Sequence, residues 1–178
     1  MKDNKQRLFE IMEKLNNDFH QNKQQFIIPI GISGSGKSRW IKSLEDNGFV
    51  VISPDDLRRE ILGSVNDQSR GGEIFKIAYQ QVIDALNNGK NVIFDATNTV
   101  SKNRREMLKY LKSNVNNEFE ASAKIFDVDP EISKERIRKD IEAGVDRSNV
   151  PNDVIDRQYK QFKDNINNVE SDGYTIIN

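Results

Sequence analysis

The sequence contains no cysteine among its 178 residues, which excludes disulfides, thiolate metal sites and cysteine nucleophiles. It also lacks any apolar run near the ~20 residues that a membrane-spanning helix needs. Its first residues, MKDNKQRLFEIM, carry charges throughout and have no apolar stretch of the kind found in secretory signals. We therefore expect a cytoplasmic protein.

Excess charge of one sign is absent as well, because the net charge is −1. The chain has no overall basic field that would attract polyanions, so any contact with nucleic acid must come from a local patch. Its length suits one domain with a substantial core. We place that domain at residues 25–178, after an N-terminal extension at residues 1–24.

The extension carries an amphipathic pattern in residues 5–20. Apolar side chains recur there at spacings of three and four, which predicts a helix with one apolar face: Leu8, Ile11, Met12, Leu15 and Phe19. This helix either packs outside the sheet of the domain or holds a partner. We interpret His20, at its end, as structural.

Within the domain, short apolar segments alternate with helical patterns. The segments are FIIPI, FVVIS, NVIFDA, AKIFDV and YTIIN. Such alternation predicts an α/β fold, here a five-stranded parallel sheet with helices on both faces in a three-layer sandwich. Pro29 lies inside the first strand and lacks a backbone N–H, so we expect the neighbouring strand on that side to be displaced or bulged.

Residues 31–38, GISGSGKS, match the phosphate-loop pattern G-x-x-x-x-G-K-S between the first strand and a helix. Glycines let the backbone N–H groups press against an anion. Lys37 would reach the β- and γ-phosphates and be solvated without a ligand, while the Ser38 hydroxyl would bind Mg²⁺. The pattern therefore predicts a P-loop NTPase fold with ATP and Mg²⁺ as ligands. The predicted ATP contacts are Gly31, Ser33, Gly34, Ser35, Gly36, Lys37, Ser38 and Arg39.

Two acidic motifs follow the second and third strands, whose ends should face the phosphate loop. In SPDDLRREI, a helix starting at Asp56 would aim Asp55 into the site to activate an acceptor hydroxyl, with Arg58 one turn further on. The alternative is that the aspartates only cap this helix. In DATNT, Asp95 would bind the water molecules that coordinate Mg²⁺, or it would bind the acceptor together with Asn98. The alternative is again that these residues cap a helix.

Arginines recur beyond these motifs. Arg104 and Arg105 face either the acceptor or the solvent. A mobile helical lid after the fourth strand would close arginines over the transferred phosphoryl group. Its candidates are Arg136, Arg138 and Arg147, and Arg147 lies in a loop that Gly144 makes able to move.

These motifs in this order resemble the kinase domain of the phage-type 5′-polynucleotide kinases, within the phosphate-loop kinases that include the zeta toxins. The resemblance covers about residues 25–170 and includes KIFDVDPEISKER and VPNDVIDRQYKQF. It implies that Asp55 is the general base and that Arg58 binds the phosphate of the acceptor. It also implies that Asp95 corresponds to the aspartate of the family's third-strand motif, and that Arg136 and Arg147 are lid arginines.

We therefore expect an ATP-dependent kinase whose acceptor is the 5′-hydroxyl of DNA or RNA. A small-molecule acceptor, such as a nucleoside, sugar or nucleotide sugar, is one alternative. An ATP-binding switch that acts through a partner of the N-terminal helix is another, although a switch has little need for Asp55. No phosphatase segment follows the kinase motifs, so we expect no action on 3′-phosphates.

Overall fold

A computed structural model describes residues 23–178 of the chain, and its centre is a parallel sheet of five strands. The strands are β1 (Gln24–Ile30), β2 (Val50–Ile52), β3 (Val92–Phe94), β4 (Phe119–Ile125) and β5 (Thr175–Ile177), in the spatial order β2-β3-β1-β4-β5. The predicted parallel sheet is confirmed. The predicted N-terminal helix and His20 lie outside the described residues, and the division of the chain after residue 24 stays a prediction.

Six helices connect the strands within residues 23–178. They are α1 (Lys37–Glu45), α2 (Pro54–Leu62), α3 (Gly71–Asn87), α4 (Ser101–Asn114), α5 (Pro130–Glu142) and α6 (Asn152–Asn165), followed by a 3₁₀ turn at Ile166–Asn168. Local capping explains two of the starts, because Asp129 caps α5 and Ser53 caps α2. Helix α2 begins two residues earlier than expected, since a proline suits the first helical position. None of these helices has the length and apolar character needed to cross a bilayer.

Helices cover both faces of the sheet, as a three-layer sandwich requires. Phe26, Ile28 and Ile30 project from one face of β1 into the main core, which α3 and α4 help to build. On the opposite face, Ile27 packs in a smaller cluster with Ile41 of α1. The alternation along β1 therefore separates two cores.

Strand β4 differs from its expected position, starting at Phe119 rather than at Ala123. Its first half, FEAS, alternates polar and apolar side chains and so lacks the continuous apolar run that marked the other strands. It nevertheless pairs with β1 along the whole length of both strands.

The expected displacement beside Pro29 is confirmed. The β1–β3 pairing ends at Ile27 and Ile93, before Pro29 is reached. The side-chain amide of Asn98 fills the resulting gap and donates hydrogen bonds to the carbonyls of Pro29 (2.8 Å) and Phe94 (3.3 Å). The side-chain amide of Asn98 thus links β1 to the end of β3 at the point where a backbone ladder would need the N–H that proline lacks.

Candidate active site

The phosphate loop connects β1 to α1 and turns sharply at two glycines. Gly34 and Gly36 adopt φ values of 78° and 96°, in the left-handed region that favours glycine. Gly31 has no room for a side chain, because an added Cβ would lie 2.9 Å from the carbonyl oxygen of Phe126. The loop therefore leads directly into the N-terminus of α1, where backbone N–H groups and the helix dipole favour an anion.

Lys37 is held inside its own loop rather than solvated, which corrects our expectation. Its ammonium donates to the carbonyls of Gly31 (3.0 Å) and Ile32 (2.7 Å), and the residue is 9% exposed. Burial lowers the pKa of Lys37 to about 8, although the negative charge of Asp95 acts in the opposite direction. The lysine is charged at neutral pH and lies beside the expected phosphate position.

A cleft of about 220 Å³ lies at this loop. It is lined by Gly34, Gly36, Lys37, Ser38, Arg136, Asp140 and Arg147. Arg136 donates to the carbonyl of Gly34 (3.3 Å), and Arg147 pairs with Asp140 (2.5 Å) while its Nε is buried without a hydrogen-bond partner. The cleft thus brings together the two arginines and the lysine that the sequence predicted around the phosphates.

Three other residues that the sequence placed around the phosphates do not line this cleft. Arg138 does not line the cleft and pairs with Glu135 and Glu142, so the structure does not bring it together with the other lid candidates. Arg39 is exposed and lines neither this cleft nor the larger cavity described next. Ser35 is buried, and its hydroxyl oxygen accepts from the Lys37 ammonium at 3.4 Å.

A larger cavity, of about 590 Å³, opens beyond the carboxyl ends of β2 and β3. Most of its lining is neutral: Ser33, Pro54, Asn66, Gln68, Phe75, Ala96, Thr97, Ser148, Asn149, Val150, Pro151, Val154 and Gln158. Charged groups enter it at three positions, Asp55, Arg58 and Asp95. We call this space the acceptor cavity.

The first turn of α2 sets the geometry of Asp55. Ser53 caps the helix by accepting from the N–H of Asp56, so the alternative in which the aspartates act as the cap is wrong. The Asp55 carboxylate, about half exposed, accepts from Arg58 at 2.5 Å. Asp56 lies outside the cavity lining and pairs with Arg59.

Arg58 is the buried member of this pair. Its side chain is 9% exposed and its guanidinium lies 5.9 Å from the ring centroid of Phe75. Its Nε is buried without a hydrogen-bond partner. A buried donor of this kind carries a free-energy cost that an anionic ligand would relieve.

Asp95 follows β3 and lies on the same cavity wall. It does not cap a helix, since α4 begins six residues later with Val100 as its N-cap. Burial raises the pKa of Asp95 to about 6, and the nearby charge of Lys37 opposes the shift. The Asp95 carboxylate and the exposed Ser38 hydroxyl are hard oxygen donors of the kind that Mg²⁺ prefers, so the chemistry of both groups fits this ion.

This pKa leads to a prediction about pH dependence. Above pH 6 the Asp95 carboxyl is charged, and below pH 6 it binds a proton and loses its attraction for cations. If the site transfers a phosphoryl group, as the sequence predicts, we expect kcat/KM for that transfer to fall as the pH drops through about 6, the pKa of Asp95. The measurement is a pH–rate profile of the wild type and Asp95→Asn. An acid limb that stays unchanged in Asp95→Asn would assign it to another group.

Asn98 does not line the acceptor cavity, which corrects its predicted acceptor contact. It adopts φ 51°, and its amide donates to three backbone carbonyls, including that of Ala96 at 3.0 Å. Its neighbour Thr97 lines the cavity instead. Asn98 therefore shapes the wall rather than contacting a ligand.

Arg104 faces neither acceptor nor solvent, so both alternatives for it are wrong. It is 1% exposed and pairs at 2.7 Å with Asp172, whose side chain is fully buried. Asp172 also accepts from the Ser101 hydroxyl (2.7 Å) and from the half-exposed Arg105 (3.1 Å). This cluster anchors the start of α4 to the segment before β5. No sequence pattern indicated Asp172.

The loop that carries Arg147 crosses to the wall of the acceptor cavity. Gly144 follows the end of α5 and adopts φ 73°, and Asp146 then pairs with Arg59 at 2.7 Å. The side-chain oxygen of Asn66 accepts from the backbone N–H of Asn149 at 3.1 Å. One loop thus borders both the phosphate cleft and the acceptor cavity, as a lid would. Local sequence patterns did not indicate Asn66.

Comparisons with known proteins match this architecture. A family model described as AAA domain matches residues 26–164. A protein of Autographa californica nuclear polyhedrosis virus, assigned as a bifunctional polynucleotide kinase/RNA ligase, is 29% identical over 163 residues, which cover 84% of this chain and 22% of that protein.

Solved structures agree. A chain of the Pnkp1/Rnl/Hen1 RNA repair complex superposes with a TM-score of 0.70 at 25% identity, covering 82% of this chain and 46% of that one. A chain from the PezAT toxin–antitoxin system of Streptococcus pneumoniae has a TM-score of 0.55 at 16% identity, covering 94% and 75%. The second likeness shows the fold alone. The chain thus spans about a fifth of the viral relative and about half of the repair protein.

Proposed function

The chain belongs to this AAA domain family, and on that premise we propose that it is an ATP-dependent kinase that phosphorylates the 5′-hydroxyl of a nucleic acid. The observation that carries the proposal is the position of Asp55, held by Arg58 in a cavity beside the phosphate loop. A nucleotide switch has no use for a carboxylate aimed into a second cavity.

On the donor side, the phosphate cleft would hold the triphosphate of ATP. Lys37, Arg136 and Arg147 line this cleft and would offset the negative charge on the β- and γ-phosphates and on the phosphoryl group in transit. Ser38 and Asp95 would hold Mg²⁺, which supplies further charge neutralisation when bound.

On the acceptor side, Asp55 would act as general base. The acceptor oxygen forms a bond to the γ-phosphorus while the bond from that phosphorus to the β,γ-bridging oxygen breaks, so ADP leaves. The hydroxyl proton passes to the carboxylate of Asp55. Arg58, with its unpartnered Nε, would bind the phosphate next to the reacting nucleoside.

A second candidate keeps this chemistry and replaces the polynucleotide with a small molecule. The volume of the acceptor cavity, about 590 Å³, favours this candidate, because pockets for small ligands have volumes of about 300–1,000 Å³. Its neutral amide lining would suit a nucleoside or a sugar as well as the end of a strand.

The deciding experiment follows transfer of labelled γ-phosphate from ATP to a panel of 5′-hydroxyl DNA and RNA oligonucleotides, nucleosides and sugars. Labelled oligonucleotides would support the proposal. Label on small molecules alone would favour the second candidate. ATP hydrolysis without transfer to any acceptor would contradict both.

Substitution of Arg58 should separate the acceptor from the donor. Arg58→Ala is expected to raise KM for a phosphate-bearing acceptor by about tenfold or more, because a charged hydrogen bond is lost, while the affinity for ATP changes little. Separate binding measurements for the two substrates test this. Equal losses for ATP and acceptor would place Arg58 in the donor site or in support of the fold.

A further inference from the structure

Helix α4 exposes a row of basic side chains. Lys102, Arg105, Lys109 and Lys112 are spaced by three, four and three residues, so they lie along one face of the helix. All four are exposed, and the buried face of α4 is formed by other positions. We call these four residues the α4 basic stripe.

The stripe has fewer acidic partners than the basic side chains on α5 and α6. On α5, Arg138 pairs with two glutamates at 2.7 Å, and on α6 Lys160 pairs with Asp164 at the same distance. Within residues 23–178, by contrast, no acidic side chain lies within ion-pair distance of Lys109 or Lys112.

The first two positions of the stripe have only loose or shared partners. Lys102 lies 3.8 Å from Glu106. Arg105 shares Asp172 with the buried Arg104. In a chain of net charge −1, this face is therefore a local excess of positive charge.

The stripe begins at the edge of the acceptor cavity. Thr97 lines that cavity, and α4 starts four residues later at Ser101. Arg104 fixes the junction by donating to the carbonyl of Asn98 at 2.9 Å and by its buried pair with Asp172. Lys102 and Lys112 are ten residues apart, so the stripe runs about 15 Å away from the site.

The cavity itself has few means of binding a polyanion. Among the described residues that line it, Arg58 is the single cation, and two carboxylates share the space. It suits one phosphate, so the following phosphates of a strand need cations outside the cavity.

We propose that the α4 basic stripe binds the phosphodiester backbone of a single-stranded polynucleotide whose 5′-hydroxyl end occupies the acceptor cavity. This inference rests on the proposed kinase function and names the acceptor as a chain rather than a monomer. Contacts of this kind bind phosphate without reading bases, so they should act on any sequence and weaken with salt.

The test removes two positive charges at the far end of the stripe. Lys109→Gln combined with Lys112→Gln should lower kcat/KM for a long single-stranded 5′-hydroxyl oligonucleotide by about tenfold at low salt. The slope of log(kcat/KM) against log salt concentration should become shallower by about 0.7 for each lysine removed, the value typical of a single strand. Transfer to a nucleoside 3′-phosphate, which is too short to reach the stripe, should stay unchanged.

A matched control is Lys42→Gln combined with Lys90→Gln. Both lysines are exposed, and the change in net charge is the same. Lys42 lies on α1, which packs on the opposite face of the sheet from α4, and Lys90 lies just before β3. This control should leave the preference for long acceptors intact.

The outcomes separate the two proposals. If the stripe variant phosphorylates long and short acceptors in the wild-type ratio, or if the control variant loses as much, the stripe inference is wrong while the kinase stands. If the wild type labels no 5′-hydroxyl acceptor of either length, the proposed function itself has failed.

Discussion

Replacing Asp55 by asparagine is expected to slow phosphoryl transfer by roughly 10²-fold or more, the loss typical of removing a general base. Asparagine keeps the size of the side chain but cannot take the proton from the acceptor hydroxyl. ATP should bind as in the wild type, because Asp55 lines the acceptor cavity and is not among the residues of the phosphate cleft. Single-turnover rates at saturating ATP measure the effect.

The adjacent residue supplies the control. Asp56→Asn removes the same charge from the same turn of α2, but Asp56 pairs with Arg59 outside the cavity and should affect transfer much less. Similar losses in the two variants would show that Asp55 has no special part in the reaction. If Asp55→Asn chiefly lowers the melting temperature, its role lies in the fold. A normal rate in both variants would move the search for the base to Asp95.

Lys37→Met should reduce phosphoryl transfer by roughly 10³-fold or more, because loss of a preorganised positive group at the transferred phosphate costs about that much. Methionine has a similar length without the charge. Burial lowers the pKa of Lys37 to about 8, so the charged ammonium is disfavoured in the folded protein relative to the unfolded chain. We therefore expect no large loss of thermal stability in the absence of nucleotide.

The measurement combines turnover with the rise in melting temperature on adding Mg²⁺ and ATP. Lys37→Met should lose most of that rise, since ligand binding stabilises only the folded state. Lys42→Met serves as control on the same helix, because Lys42 is exposed and pairs with Glu45. Near-normal turnover and nucleotide stabilisation in Lys37→Met would contradict the assignment of the phosphate loop.

The parts of this structure that the sequence predicted are those encoded over short distances. The phosphate loop is contiguous, and four of the five strands are apolar runs between helical patterns. Asp129 and Pro130 also marked the start of α5 correctly. Comparisons with known proteins then confirmed the resemblance to polynucleotide kinases that the motif order had indicated.

Long-range pairings could not be predicted in this way. Arg104 and Asp172 are 68 residues apart, and nothing near either residue indicates that burial would join them. Gln158 accepts from the backbone N–H of Ser33 across 125 residues. Such contacts depend on the final packing of helices on the sheet, whereas a local pattern records only the preferences of its own segment.

The position of Lys37 has a consequence for selectivity among anions. Its ammonium donates to the carbonyls of Gly31 and Ile32 and so acts as an internal ligand of the loop. An incoming phosphate competes with these carbonyls, so binding is an exchange of partners in which part of each new attraction offsets a lost one. A triphosphate that also reached Arg136 and Arg147, which line the same cleft, would gain contacts that a lone inorganic phosphate does not offer, so we expect the site to favour the triphosphate.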